Sequence, residues 1–252
     1  DMYGLIHEMR SRIVKSPDFN GKKVLGAILF EDTMGRAFEG KPAPSYLWKD
    51  RGVVPFVKVD KGLLNTAEEV QLLKPIPNLA QLLERAADLG VFGTKMRSVI
   101  HAANPKGIGQ IVAQQFTIGA QITAHGLMPI LEPEVAISIT DKAEAETLLR
   151  ASILEQLDNL PSDQTVMLKL TLPEVANHYL DLCQHPRVLS VVALSGGYSR
   201  AEANGRLAQN KSIIASFSRA LTEGLSAPQG DGEFHEMLSQ SINSIYQASI
   251  LG

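Results

Sequence analysis

The sequence lacks the features of a disulfide-stabilised or membrane-spanning protein. Its 252 residues include one cysteine, Cys183, so an intrachain disulfide is excluded. That single cysteine is typical of a reducing compartment, and we expect a cytoplasmic protein. No apolar run reaches the ~18 residues of a membrane span. The net charge of −3 argues against nucleic acid or an anionic membrane as a partner.

Motifs for metal and dinucleotide binding are also missing. The six histidines are scattered without an H-x-H or H-E-x-x-H pair, and "HEMRS" and "HEMLS" both lack the second histidine. Zinc catalysis therefore has little support. No glycine-rich dinucleotide fingerprint follows any apolar run, which disfavours a nucleotide-binding open sheet.

The sequence does contain seven short apolar runs typical of strands: 24–30, 52–60, 91–97, 127–135, 166–172, 188–194 and 212–217. Amphipathic stretches of helical period lie between several of them, over 76–90, 108–126 and 142–160. This alternation predicts βαβ units with parallel pairing. An open doubly wound sheet would also fit. We favour a single α/β domain over residues 1–252, a (β/α)8 TIM barrel whose first strand lies upstream.

Charged residues interrupt four consecutive runs at a constant interval. Lys58, Lys95, Glu132 and Lys169 are spaced 37 positions apart, each within or at the end of a predicted strand. A repeated βα unit of this length favours an eightfold barrel, whose catalytic groups come from several strand ends. A lone lysine in such a run usually faces solvent. Because parallel strands are covered on both faces, four in succession indicate a site inside the barrel or at its mouth.

Alternation places further charges on the same strand faces. Asp60 shares a face with Lys58, Arg97 with Lys95, and Glu134 with Glu132. With Lys169 and Arg219, these groups number five cations and three carboxylates, a net charge of +2. That excess suits a small anionic ligand such as a phosphomonoester.

Two serine- and glycine-containing loops follow the last two predicted strands. "LSGGYSRAEA" contains Ser195, Gly196 and Gly197 ahead of a helix, and "ASFSRAL" contains Ser216, Ser218 and Arg219. Phosphate sites of barrel enzymes lie in the loops after strands seven and eight. Taken alone, "SGG" is a tight turn. The two loops together predict a phosphate site.

Lys169 is the best candidate for a nucleophile. Its neighbours in "VMLKLTL" are apolar and no acid lies within four residues. Desolvation and a neighbouring cation, Lys95, favour the neutral amine, which can form a Schiff base with a ketone. Glu132, one βα unit earlier, is the candidate acid and base for the dehydration that imine formation requires.

The motifs "KVDKG", "GTKMRS", "EPEV", "MLKLT", "LSGGYS" and "SFSRAL" resemble, in this order and spacing, the class I fructose-1,6-bisphosphate aldolases of the bacterial branch. The resemblance runs from about Asp1 to Tyr246. It implies a (β/α)8 barrel and a glycolytic and gluconeogenic lyase that needs no metal or other cofactor. The implied substrate is fructose 1,6-bisphosphate, cleaved reversibly to dihydroxyacetone phosphate and glyceraldehyde 3-phosphate by a monomer or homo-oligomer.

The resemblance also implies roles for the site residues. Lys169 would form the Schiff base, Glu132 would transfer protons, and Lys95 and Glu134 would support them. The 1-phosphate would bind at Ser195, Gly196, Gly197, Ser216, Ser218 and Arg219, the 6-phosphate at Lys58 and Arg97, and Asp60 would hold the lysine network. The family's strand-one aspartate has no counterpart here, so the base for the C4 hydroxyl is unassigned. Two alternatives stay open: a tagatose-1,6-bisphosphate aldolase and a non-catalytic sugar-phosphate-binding barrel.

Overall fold

The computed structural model describes residues 2–252, and seven parallel strands form its main sheet. They are β1 (Gly26–Leu29), β2 (Val54–Lys58), β3 (Gly93–Ile100), β4 (Met128–Val135), β5 (Val166–Thr171), β6 (Val188–Leu194) and β7 (Ile213–Ala215). Each pairs with the next in chain order. Each overlaps one predicted apolar run, so the predicted parallel sheet is confirmed.

The longer helices are α1 (Met2–Lys15), α2 (Leu79–Asp88), α3 (Pro105–Ala124), α4 (Lys142–Asp158), α5 (Arg200–Leu207) and α6 (Asp231–Leu251). Shorter helical segments are Glu31–Met34, Ala43–Ser45, the π-helical Tyr46–Asp50, Leu180–Gln184 and Arg219–Thr222. Ala37–Phe38 pairs with Lys41–Pro42, and Val70–Gln71 joins β3 antiparallel. None of the helices within residues 2–252 combines the length and apolar character needed to cross a membrane.

Local sequence sets the ends of these elements. Pro105 opens α3, and the Asn104 side chain accepts a hydrogen bond from the Gly107 amide at 3.1 Å. The helix predicted after Gly197 is α5, and the Ser199 side chain caps it by accepting a hydrogen bond from the Glu202 amide at 3.3 Å. Gly93 allows β3 and β4 to approach closely, because a Cβ there would lie 2.2 Å from the Met128 carbonyl oxygen.

The two faces of the sheet bury different cores. Leu131 of β4 points to the helical layer, since a Cβ at Gly119 of α3 would lie 3.2 Å from its Cδ2 atom. Its neighbour Ile130 belongs to a separate buried cluster with Phe56, Met167 and Val192, which alternation places on the opposite face. We call that face of the sheet the inner face.

The described strands form an open arc. Within residues 2–252, β1 pairs only with β2 and β7 only with β6 among the seven parallel strands. A first strand upstream stays a prediction. Some boundaries differ from the predicted ones: β3 extends to Ile100, three residues past the run 91–97, and the stretch 76–90 contributes only α2.

Candidate active site

The inner face changes from apolar to charged along each central strand. In β4, Ile130 is followed on the same face by Glu132 and Glu134, and in β5 Met167 is followed by Lys169. The apolar residues lie toward the amino ends of the strands and the charges toward the carboxyl ends. Parallel pairing brings the charges together at one end of the sheet, the end where barrel enzymes carry their active sites.

One carboxylate lies between two buried ammonium groups. Glu132 Oε1 is 3.2 Å from Lys169 Nζ, and Glu132 Oε2 is 2.7 Å from Lys95 Nζ. The side chains of Lys169, Lys95 and Glu132 are 10%, 8% and 4% exposed. We name these three residues the inner cluster. The structure thus brings together the predicted nucleophile, its acid–base partner and the neighbouring cation.

Burial lowers the pKa of Lys169, because a charged amine loses its hydration inside the protein. Glu132 opposes this effect and Lys95 adds to it, and the net shift of the Lys169 pKa is downward. The direction matters chemically, since only the neutral amine can attack a carbonyl.

Asp60 connects the inner cluster to Lys58. Its Oδ1 atom accepts a hydrogen bond from Lys58 Nζ at 2.6 Å, and its Oδ2 atom lies 3.9 Å from Lys95 Nζ. The Arg97 backbone amide also donates to Oδ2, at 3.2 Å. The buried Asp60 carboxylate therefore contacts groups from two neighbouring strands, β2 and β3.

Glu134 contacts Arg97. The resemblance gives Glu134 a supporting role, and in the structure its carboxylate binds the Arg97 Nε atom. This contact raises the pKa of Arg97. Glu134 is also close enough for its charge to act on Lys169. The Arg97 side chain is 42% exposed, so its outer part is accessible to a ligand.

The two predicted phosphate loops lie side by side. Gly196 has φ +64° and Gly197 φ +119°, backbone conformations that favour glycine. A Cβ at Gly197 would lie 3.9 Å from Arg219 Nη1, so the arginine reaches the neighbouring loop. Ser195 is buried at the end of β6, and the Ser216 amide donates to the Ala193 carbonyl of that strand at 2.7 Å.

Ser218 and Arg219 are both exposed, at the start of the helical segment Arg219–Thr222. Together with Ser195 and Gly196 they border the carboxyl ends of β6 and β7. The inner cluster lies on β3, β4 and β5, so the two groups of predicted residues occupy successive strands of one arc.

Thr171 is an inner-face residue that is not among the predicted site residues. Its hydroxyl donates to the Val135 carbonyl at 2.8 Å and accepts from the Val135 amide at 2.9 Å, which joins the ends of β4 and β5. Thr171 follows Lys169 by two residues in β5, and this spacing indicates that the two side chains share a face of the strand. In residues 2–252, no three His, Cys, Asp or Glu side chains form a group that could hold a metal ion.

Comparison with known proteins gives the family. The model of the glycolytic class-I fructose-bisphosphate aldolases matches residues 6–177. Class 1 fructose-bisphosphate aldolases from Synechocystis sp., Porphyromonas gingivalis and Clostridium acetobutylicum are 57%, 54% and 53% identical to this chain. Each alignment covers 99% of this chain, and 83%, 85% and 85% of the respective relatives.

A solved structure supports the fold. Fructose-bisphosphate aldolase from Plasmodium falciparum, crystallised with TRAP and a small-molecule inhibitor, has a TM-score of 0.75 at 22% identity. The match covers 96% of this chain and 81% of that one, and it confirms the TIM-barrel class predicted from the sequence. The family match and the relatives confirm the predicted family as well, and the chain belongs to the class I fructose-bisphosphate aldolases.

Proposed function

We propose that this class I aldolase cleaves fructose 1,6-bisphosphate through a Schiff base on Lys169. The observation that carries the proposal is the inner cluster, in which Glu132 contacts both Lys169 and Lys95. The relatives are named for fructose bisphosphate, so the tagatose and non-catalytic alternatives are not favoured. The enzyme is an aldehyde-lyase of the metal-independent class.

The reaction begins at the C2 ketone of the open-chain sugar. The neutral Lys169 amine adds to C2 and gives a carbinolamine. Glu132, which holds the proton given up by the Lys169 ammonium group, then protonates the carbinolamine hydroxyl, which leaves as water, and an iminium ion remains. Lys95 balances the charge of Glu132 once the carboxylate has been restored. This assignment needs a proton donor within reach of Lys169, which the 3.2 Å contact provides.

The iminium ion accepts the electron pair of the C3–C4 bond when that bond breaks. The C4 hydroxyl loses its proton and glyceraldehyde 3-phosphate departs. The enamine left on Lys169 takes up a proton at C3, and water then hydrolyses the iminium ion to release dihydroxyacetone phosphate and the free amine. We leave the base for the C4 hydroxyl unassigned.

The phosphates would be held at the two ends of the charged arc. We assign the 1-phosphate to Ser195, Gly196, Gly197, Ser216, Ser218 and Arg219. The 6-phosphate goes to Lys58 and Arg97, whose side chains are 27% and 42% exposed. Glu134 and Asp60 would orient these cations. This division places the reacting carbons over the inner cluster, between the two phosphates.

We also propose that residues 1–252 form one cytoplasmic domain that acts on this small-molecule substrate alone, as a monomer or homo-oligomer, without a nucleic-acid or membrane partner. The single cysteine and the net charge of −3 support this description.

Reductive trapping tests the central assignment. The protein is incubated with dihydroxyacetone phosphate and sodium borohydride, digested, and mapped by mass spectrometry. We expect a stable adduct on Lys169 that requires the ketone, and turnover that a chelator leaves unchanged. An adduct on another lysine, or no adduct, would overturn the proposal.

A further inference from the structure

A second polar network joins the loop after β5 to the glycine loop after β6. Glu174, three residues beyond β5, accepts hydrogen bonds at Oε1 from Tyr198 Oη at 3.2 Å and from Arg206 Nη1 at 3.3 Å. Lys142 Nζ lies 3.1 Å from the same oxygen. The Arg206 guanidinium also lies over the Tyr198 ring, 4.3 Å from its centroid. Tyr198 is thus held through both its hydroxyl and its ring.

Glu174 is itself fixed by buried groups. Its backbone amide donates to Glu146 Oε2 at 3.0 Å, and Lys142 Nζ donates to the Leu172 carbonyl at 2.8 Å. The Lys142 and Glu146 side chains are 4% and 1% exposed. Lys142 and Glu146 are buried and bind the backbone at Leu172 and Glu174. They therefore fix the position of the segment that leads from Lys169 to Glu174.

Tyr198 closes the glycine loop. Its backbone amide donates to the Ser195 carbonyl at 3.0 Å, so Gly196 and Gly197 are the central residues of a turn. On the other side the loop packs tightly, because a Cβ at Gly196 would lie 2.7 Å from Ile137 Cγ2. The hydroxyl of Tyr198 is therefore the polar attachment that ties this turn to the β5 loop.

We propose that Tyr198 and Glu174 are positioning residues that set the place of the glycine loop relative to Lys169. The inference rests on the proposed binding of the substrate's 1-phosphate by this loop. Neither residue needs to touch the substrate. Their contact fixes the spacing between the loop's backbone amides and the Lys169 amine, and a phosphorylated ketone must span that spacing in order to react.

This role predicts a selective defect. A loop that moves freely binds phosphate less well, because ordering it on binding costs free energy. A ketone without phosphate does not use the loop and should react with Lys169 as before. A loss of general stability would instead affect both ligands.

The test compares Tyr198→Phe with a matched variant, Tyr179→Phe. Tyr179 is fully buried in the segment between β5 and the helical segment Leu180–Gln184, and within the described residues its hydroxyl has no hydrogen-bond partner. For Tyr198→Phe we expect kcat/KM for fructose 1,6-bisphosphate to fall about three- to tenfold, as for the loss of one hydrogen bond of typical strength. Borohydride trapping of unphosphorylated dihydroxyacetone on Lys169 should be unchanged. Tyr179→Phe should match the wild type with both ligands.

Variants of Glu174 sharpen the test. Glu174→Gln keeps an oxygen acceptor for Tyr198 and should retain more kcat/KM than Glu174→Ala. The double variant Tyr198→Phe/Glu174→Ala should be no worse than Glu174→Ala, because both changes break one contact. Additive losses, equal losses with phosphorylated and unphosphorylated ketones, or no loss in Tyr198→Phe would overturn the inference.

A binding measurement separates this inference from the proposed function. Calorimetric titration with inorganic phosphate requires no Schiff base, and Tyr198→Phe should bind phosphate about three- to tenfold more weakly than the wild type. Equal affinities would refute the positioning role even if Lys169 is trapped as expected. A missing adduct on Lys169 would refute the proposed function while weaker phosphate binding still supported the positioning role.

Discussion

Two buried lysines in this protein have opposite surroundings. In the inner cluster, Lys169 shares one carboxylate, Glu132, with a second ammonium group, Lys95. In the helical layer, Lys142 Nζ contacts Glu146 Oε1 at 2.6 Å, the Leu172 carbonyl at 2.8 Å and Glu174 Oε1 at 3.1 Å. We name Lys142, Glu146 and Glu174 the outer cluster. Within these named residues the inner cluster has two cations and one anion, and the outer cluster has one cation and two anions. Each has a further partner of the opposite sign at its edge: Asp60 lies 3.9 Å from Lys95, and Arg206 lies 3.3 Å from Glu174.

The comparison shows that burial alone does not make a lysine reactive. Burial lowers the pKa of Lys169, and the attraction of Glu132, which also contacts Lys95, does not offset this effect. In the outer cluster burial raises the pKa of Glu146, and the attraction of Lys142 does not offset it. Burial therefore destabilises a charged amine in the inner cluster, which can supply a nucleophile, and a charged carboxylate in the outer cluster, which supplies attachment.

The largest expected effect comes from removing the amine. Lys169→Met should reduce kcat by at least about 10⁴-fold, because no other group can form the covalent intermediate. Steady-state kinetics with fructose 1,6-bisphosphate measure this. Lys142→Met removes an equally buried lysine and is the control: its folded fraction should still be trapped on Lys169. If Lys142→Met lost the borohydride adduct as completely as Lys169→Met, the two clusters would not differ in function as we infer.

Removing the carboxylate of Glu132, which Lys95 and Lys169 share, should lower kcat by less than removing the Lys169 amine does. Glu132→Gln keeps the shape of the side chain but cannot transfer a proton, and we expect kcat to fall by about 10²- to 10⁴-fold. The control is Glu146→Gln in the outer cluster, for which kcat should change less than about threefold. The account requires the two carboxylates to differ, and a similar kcat for both variants would contradict it.

The free energy of unfolding should be affected in the opposite order, more by Lys142→Met than by Lys169→Met. Lys142→Met leaves Glu146 buried without its cation, and the free energy of unfolding should fall by about 3 kcal/mol. Lys169→Met leaves Glu132 with Lys95 as its partner, so the free energy of unfolding should be unchanged or higher. Urea denaturation followed by circular dichroism measures both. Equal destabilisation would show that Lys169 is a structural residue like Lys142.

Much of this arrangement follows from sequence period alone. The seven apolar runs became the seven strands, and alternation placed Lys95, Glu132 and Lys169 on one face. The constant 37-residue interval did not determine how far along the sheet each charged residue lies relative to the others. Lys58 pairs with Lys95, but Glu132 pairs with Arg97, two residues farther along β3. This two-residue offset between β3 and β4 depends on the register of the sheet. It allows Lys95 to contact Glu132 and Arg97 to contact Glu134.

The outer cluster had no comparable signal in the sequence. Lys142 and Glu146 are four residues apart in an amphipathic stretch, a spacing that usually describes an exposed helical pair. They are buried because Leu172 and Glu174 fold over them after β5. A contact between segments about 30 residues apart depends on the path of a loop, which neither residue period nor spacing encodes.

The most direct test of the central claim is the pH dependence of Lys169 reactivity in the absence of substrate. Trace acetylation with acetic anhydride, mapped by mass spectrometry from about pH 6 to 11, reports the neutral fraction of each amine, with exposed lysines as the internal reference. Reactivity rises as the pH passes upward through the pKa. We predict a midpoint for Lys169 below the ordinary lysine value of about 10.4, moved to higher pH by Lys95→Met. A midpoint at or above the ordinary value, or one that Lys95→Met leaves in place, would contradict the account.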